Sequence, residues 1–431
     1  MIKIYTWNNT SKKEKERIIK RSSIDIESIN KYVAGIIRDV RNNGDKAVAR
    51  YARKFDDPNF IADKIQVTKK DIAKAYKKVD KKIIKIIKEQ IKISSAYAKA
   101  EKDNIVMDWN VETVKGVRTG LRYTAIESAG LYVPAGKAPL PVVAQILSVP
   151  AKTAGVPRIV VCFPPTGDNA EIIVSADLAG ADEIYRIGGA QAIAALAFGT
   201  ETIKPVSFIA GPGNLYVQAA KLQVFGKVGI DMLAGPSEAL IMADKHANPT
   251  YLAADILARC EHGGDSAGVI VTDSMEIAQK TLKEIKRQAP TLKRQEYIQK
   301  ALKTYSAIVI VNSLDKMIEF ANEYGPEHLE VQVKNARKLL PKLKNAGSVF
   351  LGNYAPVAVG DYASGTNHCL PTGGTSKFAS PVGVRSFLKA SGYQELTKQG
   401  LRRLQPIVET LSQVEGLDGH AESVNVRLNN F

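Results

Sequence analysis

The chain has 431 residues, with 60 Lys and Arg against 44 Asp and Glu (net +16), 45% hydrophobic and 24% charged residues. That balance excludes a disordered chain, a collagen-like repeat and a disulfide-stapled scaffold, and the length calls for more than one domain. The uninterrupted apolar run from Ala192 to Phe198 is far too short to cross a membrane.

The first hundred residues read as helices and hold most of the positive charge, a net of +14. The pattern predicts a helix over Ser28 to Val40, broken at Asn43 and Gly44. From Lys69 to Lys99, Ile72, Tyr76, Val79, Ile83, Ile87 and Ile91 recur at steps of three and four, which predicts one amphipathic helix with lysines on its other face. We read those lysines as a solvated face. No aromatic interleaving or nucleic-acid motif accompanies them, so nucleic acid is not an expected partner. The N-terminal MIKIYTWNNTSKKEKERIIK carries charge where a leader peptide needs its apolar segment. Cys162, Cys260 and Cys369 lie far apart and form no CxxC, which points to a reducing cytoplasm and no cysteine-built zinc site.

From about residue 130 short apolar strands alternate with helices. Strands are predicted at Arg158–Phe163, Glu183–Ile187 and Val206–Ala210, with helices at Ala170–Leu178, Ala190–Phe198 and Tyr216–Val224. A second series has strands at Ala239–Met242, Gly268–Thr272, Ala307–Val311, Leu329–Val333 and Ser348–Leu351. Between them come helices at Thr250–Cys260, Met275–Gln288, Leu314–Glu323 and Ala336–Leu343. Such alternation argues for α/β architecture, with two parallel sheets each covered on both faces. In the last fifty residues Leu401, Leu404, Val408 and Leu411 form an apolar stripe that a small tail cannot bury alone, so it must dock on the body or on a partner chain.

Gly211-Pro-Gly-Asn214 and Gly188-Gly189-Ala-Gln191 are tight turns between a strand and a helix. Either is weak evidence alone, but the pair sets Gln191 and Asn214 after the carboxyl ends of neighbouring strands, where open parallel sheets bind ligands. Four of the five histidines, His262, His328, His368 and His420, sit in acidic, glycine-rich or turn segments. None has a local metal spacing, and only convergence from distant segments would give a zinc site. Glu327-His328, after a proline and at a strand entry, is the most chemical pair: an imidazole to accept a proton and a carboxylate to activate water.

The segments GLYVPAGKAPLP, RIGGAQAIAALAFGT, AGPGNLYVQAAK, GIDMLAGPSEALI, EHGGDS, GPEHLEV, GDYASGTNHCLPTGG and VEGLDGH, in this order and spacing, resemble histidinol dehydrogenase along nearly the whole chain. The resemblance implies two Rossmann-like, doubly wound parallel-sheet domains, a helical N-terminal segment and a small helical C-terminal tail. The expected division is 1–25 for the N-terminal segment, 26–131 with 240–382 for the first domain, 132–239 for the NAD-binding second domain, and 383–431 for a tail packed on the partner subunit. It further implies a cytoplasmic enzyme that oxidises L-histidinol to L-histidine through the aldehyde in two NAD-dependent steps, as a homodimer exchanging tails, with one Zn2+ per subunit. By position, Tyr132, Gln191 and Asn214 resemble the NAD contacts. Ser237, His262, His328, Asp361, Glu415 and His420 resemble the substrate contacts; His262, Asp361 and His420 the zinc ligands; Glu327 and His328 the proton-transfer pair. The competing expectations are a related zinc dehydrogenase acting on another amino- or sulfo-alcohol, a nucleic-acid-binding protein, and a catalytically silent relative. The intact PEHLE, GDYASG and EGLDGH segments favour histidinol.

One position departs from the resemblance. Where the family carries a glutamine zinc ligand, three residues before His262, this chain has Arg259. A guanidinium is permanently charged and has no lone pair for a metal. Cys260 has a suitable sulfur but sits about 100° further round the helix. Three outcomes stay open: zinc with three protein ligands plus substrate or water, a rearranged site using Cys260, or no zinc. Zinc is the expectation carried forward.

Overall fold

The computed structural model describes residues 2–21, 26–135 and 139–429; residues 136–138 of the GLYVPAGKAPLP segment and residues 22–25 lie outside it. Among the described residues the strands run in chain order β1 (Lys3–Thr6), β2 (Asp108–Val114), β3 (Val117–Ala125), β4 (Ala129–Tyr132), β5 (Ile159–Phe163), β6 (Glu183–Arg186) and β7 (Phe208–Ala210). They continue as β8 (Gly229–Ile230), β9 (Glu238–Ala243), β10 (Ala267–Thr272), β11 (Ala307–Ile310), β12 (His328–Gln332), β13 (Ser348–Leu351) and β14 (Leu388–Leu396).

Two sheets are parallel throughout, as the alternation predicts. One has the order β6-β5-β4-β7-β8 and the other β1-β11-β10-β9-β12-β13. Successive residues on a strand face opposite sides, so each sheet feeds two cores. Leu240 and Met242 join Val269 and Val309 on one side of the six-stranded sheet, while Ile241 and Ala243 join Ile270 and Ile308 on the other. Both faces are covered by the intervening helices, which is why these strands read as unbroken Val/Ile/Leu runs.

Several expectations need correction. The N-terminal segment begins with a strand: β1 pairs with β11, Lys3 opposite Ala307, and extends the six-stranded sheet. The helices between Asn30 and Asp103 pack mainly with the five-stranded unit. The helix Asn30–Phe55 packs Val33, Ile36 and Val40 against Ile193 and Leu196, and Val79 and Ala98 pack with Leu131 and Val161. These amphipathic helices thus cover the two faces of the five-stranded sheet, whose own crossover helices leave apolar surface that has to be buried. The expected break at Gly44 is a kink within Asn30–Phe55, with φ 47° and ψ −132°, where Glu201 accepts from the Asp45 amide at 2.7 Å. The single helix expected over Lys69–Lys99 is two, Lys69–Lys78 and Lys81–Asp103, because Asp80 caps the second by accepting from the Lys82 amide at 2.6 Å.

A third, antiparallel sheet, β14-β3-β2, was not expected at all. It joins the 108–125 hairpin to the tail, which continues as the helices Lys398–Glu415 and Asp418–Leu428.

Topology fixes where the two parallel sheets meet. The chain leaves the carboxyl end of β8 and enters the amino end of β9 through residues 231–237 only, a span of at most about 25 Å. The carboxyl ends of one sheet and the amino ends of the other therefore border the same cleft.

Candidate active site

The expected cofactor residues border the switch point of the five-stranded sheet, between β4 and β7, where strand order reverses. Gly211 follows β7 with φ +126°, and a Cβ there would lie 2.2 Å from the Tyr132 carbonyl oxygen, so only glycine lets the two backbones meet. The turn is clamped from below. Asp231 accepts from the Gly211 amide at 2.8 Å and pairs with the fully buried Lys221, whose ammonium donates to the carbonyls of Gly211 (3.1 Å) and Met232 (2.7 Å). Asn214 caps the helix Leu215–Val224, accepting from the amides of Tyr216 and Val217 at 3.1 Å each. The Tyr132 hydroxyl accepts from the Gly189 amide at 3.1 Å.

Tyr132, Gln191 and Asn214 line one cavity of about 700 Å³. It extends to His262 and Arg294 of the six-stranded unit and includes Asp56 and Tyr216, which the sequence reading did not name.

The chemical side lies at the amino ends of β9, β10 and β12. Glu327 and His328 enter β12, and the described contacts of the Glu327 carboxylate fall on one oxygen. Its Oε2 accepts from Ser237 Oγ at 3.0 Å and from the Glu238 amide at 2.8 Å, and lies 3.3 Å from His328 Nδ1. His328 Nδ1 is also 3.0 Å from the Glu238 carbonyl, which fixes Nδ1 as the protonated nitrogen and leaves Nε2 facing Asp361 Oδ1 at 3.5 Å. His368 Nδ1 donates to the Asp361 carbonyl at 2.9 Å. Behind this layer Glu238 accepts both arms of Arg21, and its Oε1 accepts from the Glu327 amide at 3.1 Å. The Arg21–Glu238 pair, 217 residues apart in sequence, escaped the sequence reading; it buttresses the acid–histidine pair from the N-terminal segment.

Electrostatics follows from this packing. Burial first, then the Arg259 guanidinium, pushes the His262 imidazole down to about 4, so it is neutral with a lone pair available. Burial and Arg259 also oppose a charge on His328, but Glu327 and the hydrogen bond to Asp361 outweigh them and lift it to about 9. Burial disfavours charge on Asp361, yet His328 and Arg259 hold it well below the usual carboxylate range. Glu327 is likewise held ionised against its burial by His328 and Arg259.

A neutral imidazole at His262 and an ionised carboxylate at Asp361 suit zinc as donors. Arg259 does not. It is buried at 4% exposure, donates through Nη1 to Ser237 Oγ, and pairs through Nη2 with Asp361 Oδ2 at 3.2 Å. Its neighbour Cys260 points into the apolar core beside Ser306, Sγ to Oγ 3.6 Å, and burial pushes its thiol up to about 11. The rearranged site using Cys260 is thereby set aside.

The single chain brings together Ser237, Arg259, Glu327, His328 and Asp361, with His262 beside them. It does not bring in the tail. Glu415 and His420 are exposed, and among the described residues no hydrogen bond or ion pair ties either to this cluster, nor is any group of three His, Cys, Asp or Glu placed to hold a metal.

A profile of the family described as histidinol dehydrogenase matches residues 19–428. The histidinol dehydrogenase of Methanococcus maripaludis is 42% identical over 421 residues, covering 97% of this chain and 98% of the relative. That of Agrobacterium fabrum is 44% identical over 407 residues, covering 94% and 93%. The crystal structure of histidinol dehydrogenase from Elizabethkingia anophelis superposes with a TM-score of 0.93 at 38% identity, over 99% of this chain and 98% of that one.

Proposed function

Because the chain belongs to the histidinol dehydrogenase family, NAD-dependent and zinc-binding oxidoreductases that act on CH–OH and close histidine biosynthesis, we propose that Glu327 and His328 move the protons of both oxidations and that a second copy's tail completes the site. The relatives described above are histidinol dehydrogenases, which disfavours another amino- or sulfo-alcohol as substrate. The single observation that carries the assignment is the Glu327–His328 pair, held at 3.3 Å by the Ser237 hydroxyl and the Glu238 backbone at the entry to β12.

NAD, when bound, accepts hydride from the carbon being oxidised; zinc, when bound, would be held by His262 and Asp361 and orient the substrate's nitrogens. Tyr132, Gln191 and Asn214 line the cavity that fits the dinucleotide. His328 takes the alcohol proton on Nε2, while Nδ1–H stays anchored on the Glu238 carbonyl. In the substrate-free chain the carboxylates around it favour its charged form, so it must first release a proton to act as a base. The aldehyde then needs water. Glu327 Oε1, the oxygen outside the Ser237 and Glu238 contacts, takes the water proton as the water oxygen bonds to the aldehyde carbon, while His328 Nε2 returns its proton to the aldehyde oxygen to give the diol; the freed Nε2 then takes a diol proton in the second oxidation.

Ser237 is the substrate-side hydroxyl of this arrangement. Glu415 and His420 serve as substrate and metal contacts from the partner's tail. The tail carries the surface such an exchange needs: Ile407 and Leu411 are more than half exposed and Val414 is 81% exposed. The remaining stripe residues, Leu401, Leu404 and Val408, are only partly covered. No described helix is long and apolar enough to cross a membrane.

Mixing two inactive variants tests the shared site. His328→Asn spoils the body of the site and His420→Ala spoils the tail. After unfolding and refolding together, each hybrid dimer has one intact site, and half of all dimers are hybrids, so activity should return to about a quarter of wild type. Continued inactivity of a mixture shown to contain hybrids would mean that each tail serves its own chain or no site at all.

A further inference from the structure

The site already contains a cation. Arg259 leaves the helix Pro249–Cys260 about 100° round from Cys260, and its guanidinium reaches Ser237 and Asp361 with almost no exposure to solvent. Asp361 is thereby engaged on both oxygens, Oδ2 by Arg259 and Oδ1 by His328. Arg259 Nε is buried with no hydrogen-bond partner. A surface arginine would turn its fork to water; this one keeps an orphaned N–H in order to hold the pair, which marks the carboxylate as a strong attractor.

Resting on the reading of His262 and Asp361 as zinc donors, we propose that Arg259 occupies the cation position of the resting site, so that zinc binds this chain only by taking Asp361 from the guanidinium. Two effects oppose the metal. Asp361 must give up a charge-assisted hydrogen bond, and a divalent ion must approach a fixed positive charge that supplies no lone pair. At a few ångströms, even with the screening of a partly solvated site, such repulsion is worth at least two decades in affinity. Ser237 shares in the exchange, because the hydroxyl that donates to Glu327 accepts from Arg259. Displacing the guanidinium frees Ser237 and Asp361 together, and metal loading and substrate positioning become one event.

The test is a zinc titration of the metal-stripped full-length dimer against a chromogenic chelator, with wild type, Arg259→Gln and Arg259→Met compared. Glutamine offers a neutral oxygen donor and methionine only removes the charge. Arg259→Gln should bind one zinc per subunit about 100-fold more tightly than wild type, and Arg259→Met should fall between them. Should the variants not fold, the metal content of wild type decides alone: it should lose its zinc on dialysis against chelator. Equal zinc affinity in wild type and Arg259→Gln, or wild type holding one zinc per subunit through that dialysis, overturns the proposal. The titration needs neither histidinol nor NAD, so its failure leaves the proton-transfer assignment standing, and failure of that assignment leaves the titration interpretable.

Discussion

The two parallel sheets share an architecture and differ in which end works. The five-stranded sheet offers its carboxyl ends, with glycine turns, helix N-termini and one buried ion pair. The six-stranded sheet offers its amino ends, with Ser237, Glu238, Glu327 and His328 all at strand entries and Arg259 and His262 just ahead of β10. Rules of thumb place ligands at carboxyl ends of open parallel sheets, and the first sheet has its cavity there. The second departs because residues 231–237 join the two sheets tail to head, so its amino ends are what the cleft exposes. One wall is thus backbone and apolar packing suited to holding a dinucleotide. The other is a close-packed set of charges suited to moving protons.

The comparison is most exposed at Lys221–Asp231, where the binding wall depends on buried charge for its shape. Both side chains are at most 1% exposed, and removing one partner of such a pair costs about 3–5 kcal/mol. Lys221→Met should lower the unfolding free energy measured by urea titration by that amount. By loosening the Gly211 turn it should also raise KM for NAD with little change in kcat. A variant with normal KM would mean that the turn is held by glycine geometry alone.

A smaller effect separates the two oxidations on the catalytic wall. Glu327→Gln keeps an oxygen to accept from Ser237 and the Glu238 amide but loses the basic carboxylate. Oxidation of the aldehyde, which needs activated water, should fall about 100-fold, while oxidation of the alcohol falls less. Stopped-flow measurement of NADH from histidinol and from the aldehyde checks this; equal losses would move water activation to another group.

The same contrast explains what was legible in the sequence. Strand-and-helix alternation survives in single-sequence patterns because both faces of each parallel strand are apolar, and the strands predicted from Arg158 to Leu351 lie within two residues of β5 to β13, save the two-residue β8. Glu327-His328 and the glycine turns were legible because strand entry and turn chemistry are local. The β14-β3-β2 sheet was not. β2 has no buried face although Trp109 and Val111 alternate with polar residues, and its partner strand β3 pairs Leu121 with Gly392 of β14, a separation no local pattern encodes. Where residues 30–103 pack was not legible for a related reason: an amphipathic helix announces that it needs a partner and not which sheet provides it. Arg259 could be flagged from its residue type, but its inward orientation, and the burial of Cys260 on the other face, depend on packing.

The smallest predicted effect tests whether charge on the six-stranded side is also strained away from the reacting groups. Gln332 Nε2 donates to Asp255 Oδ2 and Glu330 Oε2 at 2.9 Å each, and Glu330 Oε1 accepts from the Val357 amide at 3.0 Å. Burial, then the neighbouring Asp255, pushes Glu330 up to about 8. Its ordinary value is 4.5, so between these two values the folded chain holds a proton that the unfolded chain has released. Fewer protons on the unfolded state mean that stability falls as pH rises across this window, and the loss is complete above the folded value. Glu330→Gln removes the titration while keeping the hydrogen-bonding shape. Its melting temperature relative to wild type should therefore rise by roughly 2 °C or more between about pH 5 and about pH 8.5. A difference independent of pH would show that Glu330 is ionised in the folded chain, and that the buried charges of this sheet are matched outside the active site as well as within it.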